Sequence, residues 1–241
     1  MSSQNKNKNR DNFFKVVNIA RNKLIEKKKQ KSKFNVISTV QQNFYHPITK
    51  AYMAKLTELT PPHSDYHQVI SHFYNNCNKV TFNKFKITSV SRIDNPLVKK
   101  CYNHTHECNN ILNISNRRYI GYRCIHLDEL NDIIQYGFDS RISNGAFGKG
   151  VEYSLNPIKA DLNHTCNKKH KLMVLTDIMP GNICHFGTNV INTDLVKAPY
   201  GFDSVLGIMS SKTYGGKFTS LTIYNSSQTW PRYVIGYIKN N

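Results

Sequence analysis

The spacing of apolar and polar positions predicts a body built mostly of strands. Over Lys84 to Ile93 the apolar residues Phe85, Ile87, Val90 and Ile93 alternate with polar ones and skip once. That period of two predicts a strand with one irregularity. Tyr119 to Cys124 reads as a second strand, and Leu172 to Ile178 as a buried strand stopped by Pro180-Gly181. Phe218 to Tyr224 and Tyr233 to Ile238 read as two closing strands. Helical spacing appears at Tyr66, Val69, Ile70 and Phe73, after the turn Pro61-Pro62-His63-Ser64, with Ser64 the expected cap. Pro96 opens a short helix that includes Leu97 and Tyr102. Leu127, Leu130, Ile133 and Ile134 form another, which stops at Gly137. Strands outnumber helices without alternating strictly with them, which argues for an α+β fold rather than a doubly wound parallel sheet.

Charge divides the chain in two. Its 241 residues carry 33 Lys+Arg against 15 Asp+Glu, a net charge of +18. Residues 1–40 hold eleven of the basic residues and two acids, Asp11 and Glu26. We therefore read residues 1–40 as a basic N-terminal extension and residues 41–241 as the folded domain. Within the extension, Phe13, Val17, Ala20 and Leu24 share one helical face, with Asp11 as N-cap, before the run Lys27-Lys28-Lys29-Gln30-Lys31. Such a segment suits a solvated arm, a nuclear-import or nucleic-acid patch, or a membrane-surface helix. Its charge density can hold a phosphate backbone without reading sequence, and such binding weakens steeply with salt.

The longest apolar runs, such as Leu172-Met173-Val174-Leu175, are far too short for a membrane span. The first residues, Met1-Ser-Ser-Gln-Asn-Lys, lack the apolar core of a secretory signal. An intracellular setting, nucleus or cytoplasm, is expected, with the six cysteines as free thiols. The Asn/Lys bias suits an AT-rich genome, such as that of a large DNA virus or a protist.

One cluster of metal-type ligands stands out. Cys101, His104, His106 and Cys108 fall within eight residues, as Cys-x2-His-x-His-x-Cys. This is no familiar zinc spacing, and we read the four as incidental to a loop, with no metal expected.

Five blocks, in order, resemble the catalytic domain of poly(ADP-ribose) polymerases, nearest the mono-ADP-ribosylating, macro-domain-linked type. They are Lys86-Ile-Thr-Ser-Val-Ser-Arg-Ile-Asp-Asn-Pro-Leu97 with Tyr102; Asp128-Glu-Leu-Asn-Asp-Ile-Ile-Gln-Tyr-Gly-Phe138; Phe147-Gly-Lys-Gly-Val-Glu-Tyr-Ser154; Tyr200-Gly-Phe-Asp-Ser-Val205; and Tyr224-Asn-Ser-Ser-Gln-Thr-Trp-Pro-Arg-Tyr-Val-Ile235. The resemblance spans roughly residues 50–241. It implies an ADP-ribosyltransferase fold of two packed, mainly antiparallel sheets flanked by short helices. It also implies NAD+ as substrate, a protein acceptor of ADP-ribose and a monomer, with nucleic acid as a further partner for residues 1–40.

The family places a His-Gly pair at a strand end, a Tyr after the Gly-Lys-Gly loop and a Glu on a late strand. Counting from Gly137-Phe138, the His-Gly-Thr position falls on Arg123-Cys124-Ile125. The Tyr position falls on Glu152, and the Glu position on Ser220. By resemblance Arg123, Glu152 and Ser220 are the catalytic candidates. Arg123, Cys124, Gly148, Gly150, Glu152 and Tyr153 are the NAD+-binding candidates. Arg123 can still donate to a ribose or diphosphate, and a related class of ADP-ribosyltransferases has an Arg at this strand end. Cys124 keeps its backbone groups, but its side chain stands where the family has Gly for close approach. Glu152 removes a stacking face, which a one-residue slip would return through Tyr153. Ser220 replaces a carboxylate, so chain elongation is expected to be lost. His126 could stand in for the missing His, or simply begin a helix. Cys124 with His126 nearby also raises a thiol nucleophile, although no third group to orient them is apparent.

Overall fold

A computed structural model describes residues 54–77, 84–164, 170–211 and 216–239. The basic extension and its expected helix lie outside the described residues. The strands are β1 (Lys55–Leu59), β2 (Phe85–Asp94), β3 (Tyr119–Ile125), β4 (Val151–Ser154), β5 (His170–Ile178), β6 (Ile183–Thr188), β7 (Ser204–Ser211), β8 (Gly216–Ile223) and β9 (Thr229–Lys239). The helices are α1 (Ser64–Asn75), α2 (Pro96–Ile111), α3 (Leu130–Tyr136) and α4 (Pro157–Leu162).

The described strands form one nine-stranded sheet, in the order β1-β2-β9-β5-β3-β4-β8-β7-β6. Every ladder is antiparallel except β6 with β7. The α+β class holds, and the expected pair of packed sheets is corrected to a single sheet. That sheet is nearly divided in two. β3 pairs with β5 along its whole length, from Tyr119↔Ile178 to Ile125↔Leu172, but meets β4 at Tyr122↔Ser154 alone. β4 ends there because Asn156 caps α4, accepting from the Ile158 N–H at 2.8 Å, and Pro157 has no N–H to give a ladder.

Both faces of the central strands are covered. Along β5, Met173 and Leu175 pack on one side with Phe73, Tyr122, Cys124, Ile158 and Tyr237. Leu172, Val174 and Ile178 pack on the other with Ile125, Ile133, Phe138, Val151 and Tyr153. A strand buried on both faces reads as a continuous apolar run, as β5 does.

Local rules explain most of the element ends. The irregularity expected in β2 is a register shift between Ile87 and Ser89. The cap of α1 is His63, not Ser64: its Nδ1 accepts from the Asp65 N–H at 3.1 Å. α2 is longer than expected, because Asn95 caps it firmly. Asn95 accepts from the Val98 N–H at 3.0 Å and donates to the Ile134 carbonyl at 2.8 Å, tying the start of α2 to the end of α3. The cluster Cys101 to Cys108 therefore lies on a helix and not in a loop. Gly137 ends α3 with φ +74°, as its position predicts.

Candidate functional site

The near-division of the sheet opens a cleft. Beyond Tyr122↔Ser154 the ends of β3 and β4 separate, leaving a hollow of about 470 Å³. Arg123, His126, Glu129, Glu152, Lys159 and Asn163 are among its lining residues.

Arg123 stands on the dividing line. Its guanidinium donates to the Glu152 carbonyl at 3.0 Å and to Ser143 Oγ at 3.1 Å, and lies 5.9 Å from the Phe138 ring centre. Bidentate planar donation of this kind fixes an arginine in place while leaving its other N–H groups to face a ligand. A second hollow, of about 520 Å³, lies on the far side of Arg123. Arg123 and Glu129 line both, and Tyr136, Phe138, Arg141 and Ile142 line the second alone.

Glu152 and Ser220 meet directly. Period-two alternation turns Glu152 and Ser154 to one face of β4, and Val151 and Tyr153 to the other. On β8, Ser220 pairs with Ser154, and its Oγ donates to Glu152 Oε1 at 2.5 Å. The same carboxylate accepts from the Ala146 N–H at 3.1 Å and from Asn163 Nδ2 at 3.1 Å. Glu152 thus links β4, β8, the loop before β4 and the end of α4. The three catalytic candidates therefore converge: Ser220 touches the Glu152 carboxylate, and Arg123 holds the Glu152 main chain.

Four binding candidates fall elsewhere. Tyr153 is fully buried, with its ring edge-on to Phe138 at 5.5 Å, so it offers no face to the cleft. Strand alternation leaves Glu152 there instead, and burial pushes the Tyr153 phenol up. Gly148 has φ +75°, and a Cβ there would lie 1.9 Å from the Leu195 carbonyl oxygen. A Cβ at Gly150 would lie 2.6 Å from Thr222 Cγ2. These glycines let the segment around Leu195 and strand β8 close over the loop, and neither lines a hollow. The Cys124 side chain turns into the core, with Sγ 3.2 Å from the Tyr237 hydroxyl, while the residue still borders the cleft.

That setting argues against a thiol nucleophile at Cys124. Burial first of all pushes its thiol up to about 12, and nucleophilic cysteines need the opposite shift. Iodoacetamide at pH 8 should leave Cys124 unmodified in the folded protein while labelling the exposed Cys101, as read by peptide mass mapping. Labelling of Cys124 at the Cys101 rate would contradict this placement.

His126 is exposed, and its backbone N–H donates to Glu129 Oε2 at 2.6 Å, the reciprocal bond of a helix-start turn. Its ring centre lies 4.4 Å from that of His164. Burial, then the neighbouring His126, holds His164 below the ordinary imidazole range. Lys159, Asn163 and His164 enter the cleft from α4 and the turn after it, and sequence reasoning missed all three. The one signal for them was Asn156-Pro157, which starts a helix directly after β4 and so aims its residues back over the strand end.

Among the described residues, no group of three or more His, Cys, Asp or Glu side chains could hold a metal ion. No described helix is long and apolar enough to cross a membrane. No protein-family model matches the chain, and a search of curated proteins finds no match either.

Proposed function

We propose that the cleft binds NAD+ and that the protein is an ADP-ribosyltransferase of the poly(ADP-ribose) polymerase-like kind, transferring single ADP-ribose units to a protein. The observation that carries this reading is the pair of hollows joined at Arg123. A dinucleotide has a ring system at each end and a diphosphate between them. An arginine at the joint of two hollows suits that shape and charge.

In the reaction the bond between ribose C1′ and the nicotinamide nitrogen breaks, and nicotinamide leaves with the electron pair. A nucleophile of the acceptor bonds to C1′ and releases its proton to solvent. Positive charge develops on the ribose, and the Glu152 carboxylate is the anionic group in place to stabilise it. Ser220 removes the carboxylate that the resemblance expects on β8. The Ser220–Glu152 bond brings one to the same point from β4. Three donors already engage Glu152. It has little accepting capacity left to activate a ribose hydroxyl, so products stay single units.

A second reading has its own support. No tyrosine ring of β4 faces the hollow, and a cleft without a stacking surface suits a module that holds NAD+ or ADP-ribose without turnover.

Thermal denaturation with NAD+ tests both. At about 100 times Kd a ligand stabilises the fold by about 2.7 kcal/mol. For a domain of this size that raises Tm by about 5–10 °C. Arg123→Ala should abolish the shift. Nicotinamide release and a discrete labelled protein band support the transferase, whereas a shift without release supports the binding module. A ladder of long products contradicts single-unit transfer, and no shift at millimolar NAD+ overturns both readings.

A further inference from the structure

The outward side of α2 carries chemistry that the cleft does not use. Tyr102 and Asn109 face the body of the protein and are buried. Opposite them, Leu97, Cys101, His104, Cys108 and Ile111 recur at intervals of four, three, four and three. That interval draws a single seam along a helix, as in paired coils. Leu97, Cys101 and Ile111 are exposed, and the His104 side chain is 74% exposed.

In the middle of the seam, Cys108 Sγ stands 3.5 Å from His104 Nε2. Zinc bonds thiolate sulfur at about 2.3 Å and imidazole nitrogen at about 2.0–2.1 Å, so tetrahedral geometry separates the two by about 3.6 Å. The pair already spans one edge of that tetrahedron. The other imidazole nitrogen, Nδ1, faces Glu107 Oε2 at 3.8 Å. A carboxylate on the far nitrogen is the usual support of a metal-bound histidine. Thiolate with imidazole selects zinc among the common divalent ions. A structural zinc takes four protein ligands. Since no described group of three or more ligands exists within one chain, half the set must come from outside it. A two-fold axis through the seam supplies it, because each copy then offers the same two side chains.

We propose that α2 carries half of a zinc site, completed by His104 and Cys108 of a second copy of this chain. Zinc binding displaces one proton from each Cys108 thiol, so two protons pass to solvent per ion. The monomer expected from the sequence is then the metal-free form.

The test uses the full chain, stripped with EDTA and titrated with zinc, with mass read by light scattering. The expected result is one zinc per two chains and a mass of twice 27.8 kDa, reversed by chelator. Cobalt(II) in place of zinc should give a thiolate charge-transfer band. His104→Ala and Cys108→Ser should each abolish the band and the dimer, with the melting curve unchanged, because both side chains lie outside the core. Cys101→Ser should keep both. Glu107→Gln should weaken zinc binding by about 10–100-fold. No zinc uptake, one zinc per monomeric chain, a dimer that survives chelation, or a cobalt band that survives His104→Ala and Cys108→Ser together overturns the proposal.

Discussion

Asp161→Ala should destabilise the protein by about 3–5 kcal/mol, the usual cost of removing one member of a buried ion pair. The Asp161 side chain is 1% exposed and accepts from Lys171 Nζ at 2.8 Å, Lys239 Nζ at 2.5 Å and the Tyr237 hydroxyl at 2.7 Å. One carboxylate from α4 therefore binds β5 and β9 together beneath the cleft. Tyr237 extends the network, because its hydroxyl also lies 3.2 Å from Cys124 Sγ. Alanine would leave two ammonium groups and a phenol facing one another in a site with little water. Asp161→Asn keeps an acceptor and should cost less. Urea denaturation measures both variants, and a loss below about 1 kcal/mol for alanine would show that the lysines reach solvent unaided.

The same network has a pH signature. Burial alone raises the Asp161 pKa, but the hydrogen bonds from Lys171, Lys239 and Tyr237 outweigh it and hold the carboxyl below its ordinary value. Its folded pKa therefore lies below its unfolded one. The stability it contributes is complete above about pH 4 and is lost as pH falls through the folded value. Asp177 works against this. Burial raises it by more than Arg232 offsets, so its contribution is present in acid and lost as pH rises through its folded value. Wild type and Asp161→Asn should accordingly differ most at neutral pH and converge in acid.

How far the sequence could be read depended on which residues carry the pattern. The bulge in β2 was legible because Phe85, Ile87, Val90 and Ile93 break step once, where the register shifts. β5 was legible as an apolar run covered on both faces. β7 was not. Gly207 interrupts it where Phe147 packs, a Cβ there lying 2.1 Å from Phe147 Cζ, so the strand lacks a side chain at the position that would have marked it. β6 is an edge strand with no buried residue, which removes the alternation. α2 was cut short because Cys, His and Asn on its outer turns carry weak helix propensity. The single bond pair that makes one sheet out of two has no pattern at all. It depends on where β4 stops. The convergence of positions 123, 152 and 220 rests on intact strand alternation at each. The burial of Tyr153 follows from the same rule, once β4 is known to be a strand.

Ser220→Glu should lower stability by about 2–3 kcal/mol at pH 7, and Glu152→Gln should reverse most of that loss. Ser220 is 1% exposed, with its Oγ 2.5 Å from Glu152 Oε1. A carboxylate placed there meets another at contact distance. Two charges about 4 Å apart near a protein surface interact by about 4 kcal/mol, which the partial exposure of Glu152 reduces. The pair would retain one proton with a raised pKa that belongs to both groups. Stability of the single variant should therefore be greatest in acid and fall as pH rises through that value. In Glu152→Gln/Ser220→Glu the charge conflict is gone, and the amide introduced on β4 can donate to the carboxylate introduced on β8. A double-mutant cycle by urea denaturation should give a coupling of at least about 2 kcal/mol, and additivity would mean that the two side chains turn apart. The cycle also bears on the chemistry. If a single carboxylate at this point serves the ribose, Glu152→Gln alone should abolish nicotinamide release and the double variant should regain it from β8. Full release by Glu152→Gln alone would place the charge stabilisation on another group.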